Sequence, residues 1–138
     1  MIGLLIITHE ALGQAYTQLA EHFFNTVPEN IRIMGIHQDD DPEDNIEQAR
    51  ELVAELGHLD GVLVLGDIFG ATPCNTAQKL VQNPKTALLT GLNAPMMVKA
   101  VQYAAQRSDI RAFAAEVQQA AVNGIMLIDF EAAGVCRA

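Results

Sequence analysis

Apolar residues fall in short runs spaced along the chain: Gly3 to Ile7, Ile31 to Ile36, Gly61 to Leu65, Thr86 to Leu89 and Gly124 to Ile128. Each has the length of one strand. Between them lie segments of helical period. The clearest is Pro42 to Leu56, where Ile46, Ala49, Leu52, Val53 and Leu56 share one stripe. Its start is well marked: Asp41 suits the N-cap, Pro42 fits the first helical position, and Glu43 and Asp44 put negative charge at the positive end of the helix dipole. Gly57 supplies a C-terminal stop. A first helix from about Ala11 to Phe24 is expected to bury Leu12, Ala15, Leu19 and Phe23. Thr72-Pro73 and Asn93-Ala94-Pro95 read as cap-and-proline openings of two more helices, and Asp109 to Ala121 as a last one.

Strand and helix thus alternate along the chain. Right-handed crossovers then stack the strands in parallel, giving an α/β, doubly wound, mostly parallel sheet with helices on both faces. Periodicity leaves the direction of the fifth strand open. No linker, repeat or low-complexity run divides the sequence, so residues 1–138 are expected to form a single domain.

Composition narrows the function more than the fold. Half of the 138 residues are hydrophobic, enough for one compact core, and aromatics are scarce at 5%, which suits strands covered by helices better than an aromatic binding surface. The formal charge of −9, from 17 acidic and 8 basic residues, opposes nucleic acid and anionic membranes as partners. The apolar start, Met1 to Ile7, is too short to span a membrane and lacks a basic n-region, so a cytoplasmic protein without membrane insertion is expected. Cys74 and Cys136 have no CxxC or Cys/His spacing, which argues for free thiols and against a disulfide framework or a metal site.

In open α/β sheets, ligands bind beyond the carboxyl ends of the strands, where the strand order reverses. With a flavodoxin-like order 2-1-3-4-5, the first strand, ending in Thr8-His9-Glu10, neighbours the third, ending in Gly66-Asp67. An imidazole and a carboxylate then share one crevice. A carboxylate at one ring nitrogen fixes the tautomer and leaves the other nitrogen with an outward lone pair, able to attack phosphorus without a metal or other cofactor. Gly70, Thr72 and the helix opening at Pro73 add anion-binding hardware, with glycines at 66 and 70 forming a possible N–H nest and the Thr72 hydroxyl a further donor.

Blander readings compete at each position. A histidine after a buried strand is often only a solvated loop residue, but facing Asp67 across the switch point His9 reads as functional. Asp67 is also a plausible turn residue, and Thr72 a plausible N-cap. His22 and His58 read as surface residues. His37 is the rival, lying at the same sheet edge after the second strand, although Asp39, Asp40 and Asp41 beside it read as a turn. Cys74 falls in a first helical turn, where thiol pKa values can drop, but a packing role is preferred. A dinucleotide site would need GxGxxG where Thr8 to Gly13 stands, and a receiver domain would need paired acids where Thr8 and His9 stand; Glu10 alone is a poor substitute.

At these loops the chain resembles the IIA domain of the mannose-family (mannose/fructose/sorbose) sugar phosphotransferase system. That family follows an apolar first strand with Thr-His or Ser-His, and its third strand with Asp-x-x-Gly-Gly-Ser-Pro-x-Asn. Here the corresponding run is Asp67-Ile68-Phe69-Gly70-Ala71-Thr72-Pro73-Cys74-Asn75, and Gly91-Leu92-Asn93-Ala94-Pro95-Met96 echoes the family's Gly-Val-Asn-x-Pro-Met loop. The resemblance implies that His9 accepts phosphate from the phosphocarrier protein HPr and passes it to a histidine of a IIB component, with Asp67 holding the ring. It also implies a phosphate cradle of Gly70, Ala71, Thr72, Cys74 and Asn75, in which Thr72 replaces the family's serine and Ala71 a glycine. It further implies a homodimer in which the last strand, Gly124 to Phe130, is exchanged as an antiparallel edge. Many members continue into a IIB domain; here the chain stops at Ala138, so a IIB partner is expected as a separate chain. Two other readings use the same pair: a stand-alone regulatory phosphotransfer module, and the phosphotransfer subunit of dihydroxyacetone kinase.

Overall fold

A computed structural model describes residues 1–25, 27–68 and 70–131; Phe69 and Cys136 therefore lie outside the described residues. Strands β1 (Ile2–His9), β2 (Ile31–Ile36), β3 (Gly61–Gly66) and β4 (Thr86–Leu89) form a parallel sheet in the order β2-β1-β3-β4. Helices α1 (Glu10–Phe24), α2 (Pro42–Glu55), α3 (Thr72–Gln78), α4 (Ala94–Tyr103) and α5 (Ile110–Asn123) connect and cover the strands. The fold is the expected flavodoxin-like α/β arrangement, with its switch point between β1 and β3.

The strand period of two sends alternate residues to opposite layers. On one face Ile2, Leu4, Ile6, Leu63 and Leu65 pack with Ala20 of α1, Met97 and Ala100 of α4, and Phe113 and Val117 of α5. On the other, Leu5, Ile7, Val62 and Val64 pack with Ala49 of α2 and Ala77 of α3. Each fully buried Leu, Ile or Val side chain contributes roughly 1.5–3 kcal/mol of hydrophobic stabilisation. Together the two layers lock the strand ends that carry the polar loops.

Local signals in α2 and α4 act as the sequence predicts. Asp41 caps α2 by accepting the Glu43 N–H at 2.8 Å, and Asn93 caps α4 by accepting the Met96 N–H at 2.9 Å. Two expectations need correction. In α1, Gly13 and Ala20 are buried and Tyr16, Leu19 and Phe24 pack on the core, whereas Leu12, Ala15 and Phe23 are exposed. The helix leaves β1 without an intervening loop, so its phase is set where Gly13 sits on the sheet; a Cβ there would lie 3.1 Å from Thr8 Oγ1 and 3.6 Å from Gly35 Cα. Gly13 faces inward, which turns Leu12, one residue or about 100° away, towards solvent. Next, α2 ends without a left-handed glycine: Gly57 donates to Ala54 O at 3.1 Å, and among the described residues only Gly70, Gly91 and Asn25 have positive φ.

The last predicted strand, Gly124 to Phe130, is expected to pair with a partner subunit and not with its own sheet. Among the described residues, 125–129 have no ladder partner, and the sheet has four strands. Ile125, Met126, Leu127, Ile128 and Phe130 are exposed, from 67% at Ile128 to 91% at Phe130.

Candidate functional site

The β1–β3 ladder runs out at Ile7 and Gly66, and the polar chemistry begins one residue further on. Asp67 takes over there. Its Oδ2 accepts the His9 backbone N–H at 2.9 Å and lies 2.6 Å from His9 Nδ1, while Oδ1 accepts the Ile68 N–H at 2.8 Å. The Asp67 carboxylate is buried and the His9 ring half exposed, with side-chain exposures of 3% and 49%. Burial alone would raise the Asp67 pKa, but the hydrogen bonds from the His9 N–H, the His9 ring and the Ile68 N–H, together with the charge of His9, hold it below the ordinary carboxylate value.

A carboxylate only accepts, so the proton between the two groups sits on Nδ1. In the neutral ring the lone pair is then on Nε2, on the exposed side. The 2.6 Å separation is that of a short, charge-assisted hydrogen bond.

The loop after β4 holds Asp67 from behind. Gly91, at φ 79°, turns its N–H onto the Asp67 carbonyl at 3.0 Å, and the next N–H, of Leu92, reaches Gly66 O at 3.0 Å. A side chain at position 91 would be strained in that conformation. Tyr16 ties α1 to the same loop, its hydroxyl donating to Leu92 O at 3.3 Å. Burial, and then the nearby charge of Asp67, push the Tyr16 pKa up. On the other side Thr8, fully buried beneath α1, donates its hydroxyl to the His9 carbonyl at 2.9 Å.

In front of His9 lies an open cavity of about 360 Å³ lined by His9, Ile36, His37, Gln38, Asp40, Pro42, Thr72 and Pro73. It separates the expected cradle into two groups. Thr72 lines the cavity with His9. It is the first residue of α3 rather than its cap; Ala71 is the N-cap, so the Thr72 hydroxyl is not spent on closing the helix. Gly70, Ala71, Cys74 and Asn75 shape the loop instead. Gly70 adopts φ 88°, and Asn75 donates its N–H to Ala71 O at 2.9 Å and its side-chain N–H to Gly70 O at 3.5 Å. The Cys74 side chain is fully buried, and a Cβ on Gly66 would come within 2.6 Å of its Sγ. Gly66 therefore serves packing rather than an N–H nest, and Cys74 turns its thiol away from the cavity. Burial, followed by the charge of Asp67, raises the Cys74 pKa against the opposing hydrogen bond of the Ile68 N–H, so thiolate chemistry is disfavoured.

His37 shares the cavity wall, and its Nδ1 lies in contact with Glu10 Oε2. Sequence reasoning weighed the two residues separately and missed the pair, because only the β1–β2 register brings them together. His9 lies opposite Ile36, which sets the residues just past the two strand ends, Glu10 at the start of α1 and His37 in the loop after β2, side by side. Among the described residues no group of three or more His, Cys, Asp or Glu side chains is placed to hold a metal ion, and no helix is long and apolar enough to cross a membrane.

The profile of the EIIA-man family, PTS system fructose IIA component, matches residues 3–118. Solved structures share the fold. Phosphotransferase system component EIIA from Streptococcus agalactiae is 23% identical with a TM-score of 0.79, the match covering 95% of this chain and 98% of that one. The PTS IIA protein associated with the fucose utilization operon of Streptococcus pneumoniae is 22% identical with a TM-score of 0.77, over 91% and 92% of the two chains. The mannose/sorbose-specific IIA subunit from Enterococcus faecalis is 21% identical with a TM-score of 0.77, over 93% and 95%.

Proposed function

Because the chain belongs to the EIIA-man family of phosphotransferase-system IIA components, we propose that it carries a phosphoryl group on Nε2 of His9. The observation that supports this most is the 2.6 Å contact between His9 Nδ1 and the buried Asp67 carboxylate, which leaves Nε2 as the free nucleophile at the cavity. Phosphate arrives from phospho-HPr. The bond between phosphorus and the donor nitrogen breaks as the bond to Nε2 forms, and the electron pair returns to the donor imidazole. Positive charge develops on the His9 ring during this step, and the Asp67 carboxylate, already ordered by three donors, stabilises it without reorganising. The reverse geometry delivers the group to a histidine of a IIB component on a separate chain, as part of sugar uptake in the cytoplasm.

Thr72 contributes a hydroxyl donor to the phosphoryl oxygens, and Gly70, Ala71 and Asn75 hold the loop that presents it. The functional unit is a homodimer in which the segment from Gly124 to Phe130 pairs with the partner's sheet edge, removing its exposed apolar side chains from water.

Incubation with Enzyme I, HPr and labelled phosphoenolpyruvate tests the relay. Acid-labile label on the wild type, absent from His9→Ala and discharged by a IIB protein, is the expected result. Label surviving in His9→Ala contradicts the assignment of His9. Label that no IIB protein discharges contradicts the transport relay and favours the regulatory module.

A further inference from the structure

We propose that His37, held by Glu10, is the second cationic group of this site and donates a hydrogen bond from Nε2 to the phosphoryl group on His9. The proposal rests on the reading of His9 as the phosphoryl carrier and adds the residue that neutralises what His9 carries.

The need for such a group follows from charge. A phosphoryl group brings about two negative charges, into a protein whose formal charge is −9. The cavity wall already includes one carboxylate, Asp40. Among the described residues none that lines it is Lys or Arg, so apart from His9 the only described lining side chain able to carry positive charge is His37.

Its setting resembles that of His9. Nδ1 of His37 faces a carboxylate, Glu10, just as Nδ1 of His9 faces Asp67, and in both rings Nε2 is left over. In the proposed arrangement the ring donates from both nitrogens, Nδ1 to Glu10 and Nε2 to a phosphoryl oxygen, so Nε2 is a donor rather than a nucleophile. No covalent step is assigned to His37.

The backbone is built to hold this pair together. Gly35 lets the start of α1 press onto β2; a Cβ at that position would lie 2.8 Å from Glu10 Cα. The His37 N–H donates to Asp40 Oδ2 at 2.9 Å and its carbonyl accepts the Asp40 N–H at 3.3 Å, closing a turn that fixes where the ring leaves the backbone. Among the described residues the charged and titratable groups facing His37 are Glu10 from α1, His9 from β1, and Asp40 from the turn into α2; α3 presents Thr72 and Pro73. An exposed pair of this kind adds little to folding stability. Its place on the wall of the cavity gives it a use in catalysis.

The test compares phosphoryl transfer from phospho-HPr to wild type, His37→Gln and His37→Lys. We expect His37→Gln to be about fivefold to tenfold slower, the scale of a partly solvated charge-assisted hydrogen bond. His37→Lys, which restores a cation and a donor, should recover the rate. Wild-type rates in His37→Gln overturn the proposal, and so does a loss that His37→Lys fails to recover. His9→Ala in the same assay separates the two readings. Label persisting there overturns the carrier role of His9, whereas label lost there with His37→Gln unaffected overturns only the role of His37.

Discussion

Two imidazole–carboxylate pairs sit at one mouth of the sheet, and they are built differently. Asp67 is buried, accepts three hydrogen bonds and has its carbonyl held by Gly91. Glu10 is about one-third exposed, with His37 as the partner of its carboxylate. A fixed carboxylate suits a ring that must present one nitrogen in one direction through bond making and breaking. A solvated one suits a ring that only supplies charge. On the proposed function the difference separates a nucleophile from a counter-ion, although the two pairs look alike in composition.

The largest separation between the pairs should appear in Asp67→Ala. Without the carboxylate, Nε2 is still present but the ring is free to turn, so transfer from phospho-HPr should slow by about a hundredfold without vanishing. An unchanged rate would remove Asp67 from the mechanism and make the two pairs equivalent.

Packing beneath Asp67 provides the next contrast. Gly66→Ala places a Cβ 2.6 Å from the buried Cys74 Sγ and should destabilise the fold by about 1–3 kcal/mol in urea denaturation. The double variant Gly66→Ala/Cys74→Ala should recover part of that loss, since it removes the atom that is struck. No recovery would mean that Gly66 is needed for its backbone and not for this contact.

Acid separates the pairs in a third way. The folded-state pKa of Asp67 is lowered, so its stabilising contribution is fully present above the unfolded carboxylate pKa, about 4, and is lost as pH falls through the folded value. The stability advantage of wild type over Asp67→Asn should therefore be seen at neutral pH and shrink on acidification. An advantage that grows as pH falls would reverse the sign of the linkage.

The smallest effect is expected for Glu10→Gln. Its partly exposed ion pair should be worth no more than about 0.5 kcal/mol to folding, screened by salt, so thermal unfolding should barely change. A large loss would show that the pair is a fold determinant after all.

The sequence made the architecture legible because strand-length apolar runs, the caps at Asp41 and Asn93, and the prolines at 42 and 95 are local signals that tertiary packing did not override. His9 and Asp67 were legible too, because a strand order and two strand ends suffice to bring them together. The phase of α1 was not. It depends on the seating of Gly13 against Gly35, a contact between segments that periodicity treats separately. The Glu10–His37 pair was hidden for the same reason, since it follows from the β1–β2 register. The run from Gly70 to Asn75 reads as one motif, but folding turns the Thr72 position to the cavity and the Cys74 thiol to the core, a difference fixed by helix phase. The segment after Gly124 reads as a strand because its side chains are right for one, yet among the described residues it pairs with no sheet edge.

The central claim is that the phosphoryl group resides on Nε2 of His9 while Nδ1 stays bound to Asp67. Nitrogen-15 NMR of histidine-labelled protein, phosphorylated through HPr, reads both ring nitrogens directly. The account predicts phosphorus coupling to Nε2 of His9 alone, with Nδ1 still protonated. Coupling to Nδ1 of His9, or to either nitrogen of His37, would contradict it.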